Sequence, residues 1–269
     1  MSLLVKAQKG EHIQHITPQI AGWHHIGFDV CIIKQGQNIT IESGDRELCL
    51  VLVSGLASIS TREADFPGLG QRLSPFERTP PWSVYVPPQD NAIITADADL
   101  ELAICSAPGR GTFPARVIRP EEVGVERRGA GRNQRLVHNI LPDSAPAECL
   151  LVVEVYTEEG ATSSWPSHKH DTALPGQETQ LEETYYHRFD PPQGFAFQRV
   201  YTDDRSLDVC MAPYNHDVVM VPRGYHPVAT IAGYSSYYLN VMAGPERKWL
   251  FSWEEDHAWI NGGGYPRRE

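Results

Sequence analysis

The sequence predicts an all-β protein made of two similar barrel-like lobes. Three observations carry this. Short runs rich in Val, Ile, Tyr and Phe are punctuated at close intervals by 22 glycines and 21 prolines, helical periodicity is hard to find, and the two halves of the chain echo one another. In the first half, strands are expected near 27–34, 47–54, 83–86, 92–95 and 100–105. In the second half they are expected near 150–157, 183–189, 195–201, 207–212, 217–221 and 235–242. Ten or more short strands with few helices point to sandwiches or small barrels.

The echo supports a division into lobes. The run Glu47-Leu-Cys-Leu-Val-Leu-Val-Ser-Gly55 lies 136 residues before Glu183-Thr-Tyr-Tyr-His-Arg-Phe-Asp190, and Val86-Pro-Pro-Gln-Asp-Asn91 lies 135 before Val221-Pro-Arg-Gly-Tyr-His226. One shift therefore places both pairs. It carries His168 and His170 back to about Ile32 and Lys34, and it sets Asn91 opposite His226, so only the second lobe keeps the histidines. The expected organisation is an N-terminal lobe over residues 1–110, an inter-lobe segment over 111–145, and a C-terminal lobe with its tail over 146–269.

Composition narrows the function. The chain has 269 residues, 41% hydrophobic and 21% charged, with a net charge of −11. A chain this acidic is poorly suited to nucleic acid or to an anionic membrane surface. A small anionic substrate needs only a local concentration of positive charge. The five cysteines are scattered and odd in number, with no Cys-x-x-Cys, so neither a disulfide framework nor a zinc knuckle is expected. The start is too polar for a signal peptide and no apolar run reaches membrane-spanning length, which predicts a soluble cytoplasmic protein.

The chemistry concentrates between Trp165 and Pro227. His168-Lys169-His170 places two imidazoles on one face if the segment is a strand, because side chains alternate with period two. Glu183 on a following strand and His226 after the Pro222-Arg-Gly turn can converge on the same point. Three imidazoles and a carboxylate form a set for a divalent metal, with coordination positions left for substrate. Alternation turns only one of Glu182 and Glu183 inward. Arg127, Arg128, Arg132 and Arg135 cluster in the inter-lobe segment, where an arginine can fork onto a substrate carboxylate. The tail, with Trp249, Trp253 and Trp259, is expected to close over the barrel or to pack on the other lobe.

These ligand residues resemble the two motifs of the cupin superfamily, with departures. Glu183 lies thirteen residues past His170, so Thr172–Gln180 reads as an inserted loop, and the second motif is one residue short. Both departures fit one family. Trp165-Pro-Ser-His-Lys-His-Asp171, Leu181-Glu-Glu-Thr-Tyr-Tyr186, Gly194-Phe-Ala-Phe-Gln-Arg-Val-Tyr-Thr-Asp-Asp204, Pro222-Arg-Gly-Tyr-His-Pro227 and Tyr237-Tyr-Leu-Asn-Val-Met-Ala-Gly244 closely resemble the 5-deoxy-glucuronate isomerases of inositol catabolism. The resemblance implies a bicupin fold, two double-stranded β-helix (jelly-roll) barrels with few short helices. It implies conversion of 5-deoxy-D-glucuronate to 5-dehydro-2-deoxy-D-gluconate, with His168, His170, Glu183 and His226 in the ligand positions.

An aldose–ketose isomerisation needs a proton moved between neighbouring carbons while negative charge on an enediolate is stabilised. Redox is not required, so Zn2+ is the favoured ion, with Mn2+ or Fe2+ as alternatives. Candidates for proton transfer are Tyr185, which shares the strand face of Glu183, Tyr238 and Glu182. Candidates for binding the sugar acid are Arg199, Arg132, Arg135 and Asn240. Two other readings stand beside the isomerase: a cupin metal-dependent dioxygenase, and a bicupin that binds a sugar acid without turning it over. The exposed sheet edges of bicupins also invite association into a homo-oligomer.

Overall fold

A computed structural model describes residues 2–262. Among these residues the strands form two barrels of the same plan. In the first, a six-stranded sheet runs in hydrogen-bonded order Arg116–Ile118, Ser83–Val86, Arg46–Ser54, Leu100–Pro108, Gly27–Ile33 and His12–Ile16. It faces a four-stranded sheet of Asn38–Glu42, Asn91–Ala96, Ala57–Ser60 and Asp65–Leu69. In the second, a seven-stranded sheet runs Leu4–Val5, Val218–Val221, Glu182–Asp190, Ser235–Ala243, Leu151–Thr157, Arg135–Leu141 and Gly124–Arg128. Its four-stranded partner is Thr162–Ser163, Val228–Thr230, Ala196–Tyr201 and Asp208–Met211. The two α-helices, Pro18–Ala21 and Glu255–Ala258, are one turn each, and no helix among the described residues is long and apolar enough to cross a membrane.

The two larger sheets pack back to back, so their central strands are buried on both faces. This explains the near-continuous apolar runs of the sequence. Along Arg46–Ser54, Leu48, Leu50 and Leu52 fill the first barrel, while Cys49, Val51 and Val53 enter a core shared with Tyr186, Met220 and Leu239 of the second lobe. Along Glu182–Asp190, Tyr185 and Phe189 point into the second barrel.

That alternation corrects the expected alignment of the lobes. Leu48 pairs with Val86 and Ser106, as Glu183 pairs with Val221 and Met242. The counterpart of Glu183 is therefore Leu48, one residue beyond Glu47, and a one-residue slip moves a side chain to the opposite face. Glu47 faces the other lobe, where it accepts hydrogen bonds from the backbone N–H groups of Cys149 and Leu150, each at 2.7 Å. The lobe bounds shift as well. Leu4–Val5 completes the second lobe's sheet, and the stretch expected to link the lobes gives Arg116–Ile118 to the first sheet and two strands to the second.

Carboxylates pin the lobes across their shared core. Arg72 of the first lobe forks onto Glu154 of the second at 2.8 Å through both nitrogens, with side-chain exposures of 2% and 0%. Glu101 accepts from Tyr186 Oη at 2.7 Å and pairs with Arg188. Burial alone would raise the pKa of Glu154, but the charge and hydrogen bonds of Arg72, aided by His138, hold it down at about 2. The folded value lies below the ordinary 4.5. The pair therefore stabilises the fold above that pH, and its contribution is lost as pH falls through about 2. Glu154→Gln, which leaves Arg72 buried without its counter-charge, is expected to cost about 3–5 kcal/mol at pH 7 in urea denaturation. The deficit should narrow in acid, and Arg72→Met with Glu154→Met should cost less than the single change.

Candidate metal centre

Three devices bring His168, His170 and His226 together inside the second barrel, with Glu183 beside the last two. His168 lies on the two-residue strand His168–Lys169, which pairs with Ser252–Trp253 of the tail. His170 and Leu181 close the inserted loop between them: Leu181 N–H donates to His170 O at 2.8 Å, and His170 Nδ1 donates to Leu181 O at 3.2 Å. Glu183, two residues further, is thus a close structural neighbour of His170 despite the thirteen-residue separation. Within the loop, Glu178 accepts from the backbone N–H groups of Asp171 and Thr172 at 2.9 Å. His226 follows the turn at Gly224, whose φ of +87° and close approach to Tyr201 O leave no room for a side chain: an added Cβ would sit 2.3 Å from that oxygen. Asp171 Oδ2 accepts from Gly224 N–H at 2.8 Å, tying the two ligand segments together.

The donor set fits a divalent cation. Coordinating nitrogens of His168, His170 and His226 lie within 4.8 Å of one another and all three side chains are buried. His226 Nδ1 donates to Gly224 O at 2.8 Å, so in His170 and His226 the Nδ1 proton is committed to a carbonyl and Nε2 is the atom turned toward Glu183. Both Nε2 atoms lie 3.2 Å from Glu183 Oε2, and only the His170 contact has hydrogen-bond geometry. His226 Nε2 and His168 Nδ1 are buried with no hydrogen-bond partner among the described residues. Burial, together with the neighbouring imidazoles, pushes the pKa of His168 well below its ordinary value, and burial likewise lowers His226. Both are therefore neutral at pH 7, the form that binds metal. Burial would lower His170 too, but the hydrogen bond and charge of Glu183 outweigh it and raise its pKa.

The centre opens onto a cavity of about 370 Å³. His168 and Glu183 lie at its inner end, with Tyr185, Tyr238, Asn240 and Ser164 on the walls. Trp249, Phe251 and Trp253 of the tail also line it, and His168 packs against Phe251 and Trp253 at ring distances of 4.9 and 5.7 Å. Arg128 and Arg135 bring positive charge to the cavity, with Asn133 between them. Burial lowers the pKa of Arg135. Its Nη1 donates to Asn133 O and Oδ1 at 3.0 Å, and among the described residues no carboxylate forms an ion pair with it. Arg128 pairs with Glu126 at 2.7 Å and lies 4.9 Å over the Trp249 ring. Tyr185 Oη is 2.8 Å from Ser164 Oγ, and burial raises its pKa well above the ordinary value; burial also raises Tyr238. Asn240 Nδ2 donates to Thr184 O at 3.3 Å.

Three expected site residues lie elsewhere. Glu182 faces the first lobe, where its carboxylate accepts from the backbone N–H groups of His24, His25 and Ile26 at 2.6, 2.8 and 3.0 Å. It is an inter-lobe anchor, remote from proton transfer at the cavity. Arg199 is an exposed residue that forks onto Asp208 at 2.7 Å and stacks 4.2 Å over Tyr201. Its parity on Ala196–Tyr201 turns it away from the barrel, whereas Gln198 turns inward and meets His187 at 2.9 Å. Arg132 is exposed beside Glu159 O at 3.4 Å and lines a separate surface cleft. The sequence reading did not single out Ser164, Asn133 or Phe251. The alternation Trp249-x-Phe251-x-Trp253 is the signal by which the aromatic lining is recognisable.

The chain matches the KduI/IolB family over residues 3–260. It is 54% identical over 249 residues to a 5-deoxy-glucuronate isomerase of Geobacillus thermodenitrificans (strain NG80-2), covering 93% of this chain and 91% of that protein. It is 48% identical to the 5-deoxy-glucuronate isomerase of Bacillus subtilis (strain 168), over 92% of each. The crystal structure of an IolB-like protein from Salmonella typhimurium LT2 superposes with a TM-score of 0.96 at 68% identity, covering 97% of this chain and 100% of that one. The oxalate decarboxylase of Lactobacillus farciminis, at 12% identity, shares the two-barrel fold with a TM-score of 0.63 over 92% of this chain and 88% of its own. Every residue of the histidine cluster and of the cavity falls inside the matched span, and the chain belongs to the KduI/IolB family.

Proposed function

We propose that this protein is a metal-dependent aldose–ketose isomerase that converts 5-deoxy-D-glucuronate to 5-dehydro-2-deoxy-D-gluconate in inositol catabolism. The observation that carries the reading is the 54% identity, over nearly the full length of both chains, to a 5-deoxy-glucuronate isomerase. The cavity supports it physically. Three clustered imidazoles with Glu183 beside them, and a half-buried arginine that has no carboxylate partner among the described residues, share the same cavity, a pairing suited to a chain with an aldehyde at one end and a carboxylate at the other.

His168, His170, Glu183 and His226 would hold the ion, and Zn2+ is sufficient because the reaction transfers no electrons to or from the substrate. A divalent ion so held would supply fixed positive charge against the negative charge that develops on the sugar oxygens, an effect worth several kcal/mol of barrier. Arg135 receives the substrate carboxylate and sets the register of the carbon chain. Its partial burial makes the ion pair stronger than an exposed one. Tyr185, Tyr238 and Asn240 give hydrogen bonds to the sugar hydroxyls along the wall. The rings of Trp249, Phe251 and Trp253 keep water from the reacting carbons.

Incubating the purified protein with 5-deoxy-D-glucuronate and following the sugar by NMR tests the reading, and persistence of the aldose in metal-replete protein overturns it. Chelation should abolish turnover, with recovery on adding Zn2+. His168→Ala and His226→Ala should lose bound metal and isomerisation together. Arg135→Gln should raise KM by about 10- to 100-fold, the factor expected for a charge-assisted hydrogen bond. Arg199→Ala should leave KM unchanged.

A further inference from the structure

We propose that Ser164 is a positioning residue of the isomerisation: its hydroxyl, carried into the cavity by a left-handed backbone, orients the Tyr185 hydroxyl toward the substrate. This inference rests on the isomerase reading above.

Ser164 follows the short strand Thr162–Ser163, which is anchored to Val228–Ala229. It has φ of +48°, in the left-handed region where an L side chain crowds its own backbone and glycine does not. Five described non-glycine residues have positive φ, namely Arg78, Gln89, Ser164, Arg205 and His216. Of these, Ser164 alone lines the metal-side cavity. A residue serving only to turn the chain here would be more comfortable as glycine, so the side chain has a task that offsets the strain.

The task is visible in its contacts. Ser164 is 7% exposed, and its Oγ lies 2.8 Å from Tyr185 Oη. Tyr238, from the neighbouring strand, lines the same cavity. The Tyr185 and Tyr238 rings are 4.9 Å apart, so the serine that meets Tyr185 stands beside a pair of cavity-lining tyrosines. A hydroxyl gives one hydrogen bond and accepts two. Ser164 can therefore fix the rotation of the Tyr185 O–H and still present a lone pair to the cavity. Tyr185 lies two residues from Glu183 on the same face of Glu182–Asp190, and both line the cavity. Without Ser164 that carboxylate competes for the phenol proton alone, and the hydroxyl turns from the sugar oxygens toward Glu183.

The decisive experiment compares Ser164→Gly with wild type in the metal-loaded enzyme, measuring kcat, KM, bound metal and Tm. The expected result is a Tm equal to or above wild type, unchanged metal content, KM within about two-fold, and kcat lower by about 5- to 10-fold, the factor for one neutral hydrogen bond. Ser164→Ala should lose the same factor in kcat without the gain in Tm, since it keeps the strained Cβ. In a Tyr185→Phe background, Ser164→Gly should change kcat by less than about two-fold, because the two act through one another. The proposal is overturned if Ser164→Gly keeps wild-type kcat, if kcat falls only in step with Tm or metal content, or if the losses in the double variant multiply. Wild-type enzyme that leaves 5-deoxy-D-glucuronate untouched would instead overturn the isomerase reading itself.

Discussion

The structure depends on one electrostatic constraint: three imidazoles and a carboxylate crowded together with little exposure to water. Glu183 Oε2 stands 3.2 Å from the Nε2 atoms of two imidazoles whose Nδ1 protons are committed to the carbonyls of Leu181 and Gly224. Left bare, such a cluster costs several kcal/mol in desolvation and repulsion. A divalent cation turns the same arrangement into an attraction. Much of the second barrel fixes those four donors: the closed loop 171–181, the turn at Gly224, and the Asp171 bridge between them.

The two barrels show how one plan serves two purposes. Strand order and pairing are the same in both smaller sheets and across the centres of the larger ones. In the first lobe the position matching Glu183 is Leu48, and the barrel is filled by Leu50, Leu52, Val84, Ile94 and Leu102. Among the described residues the histidine cluster of the second lobe is the one group arranged to hold a metal. The first lobe contributes instead a rigid backing. Glu47, Arg72 and Glu101 lock it to the sheet that carries Glu183 and Tyr185.

Much of this was legible in the sequence, for identifiable reasons. Strands buried on both faces, such as Arg46–Ser54 and Ser235–Ala243, announce themselves as long apolar runs. Short or edge strands do not. Asn38–Glu42, Gly124–Arg128 and His168–Lys169 are polar or only a few residues long, and their pairing is dictated by distant partners. Within the site, period-two parity placed Tyr185 beside Glu183 and sent Glu182 the other way, but parity does not say which face of Ala196–Tyr201 is wet. Arg199, a candidate for the substrate carboxylate, lies on the exposed face of that strand and pairs with Asp208. Of the clustered arginines, spacing could not separate Arg135, which reaches the cavity, from Arg132, which does not. That distinction belongs to the Gly129–Asn133 turn, where a Cβ on Gly129 would lie 2.1 Å from Asn133 O.

The short strand that carries His168 finds its ladder partner in Ser252–Trp253, more than eighty residues along the chain. Closing so long a loop is entropically slow relative to local contacts. During folding the barrel walls can therefore form while this coordinating side chain is still unanchored. One pairing therefore places both this imidazole and the aromatic strap, so a chain whose tail is displaced also loses the position of His168.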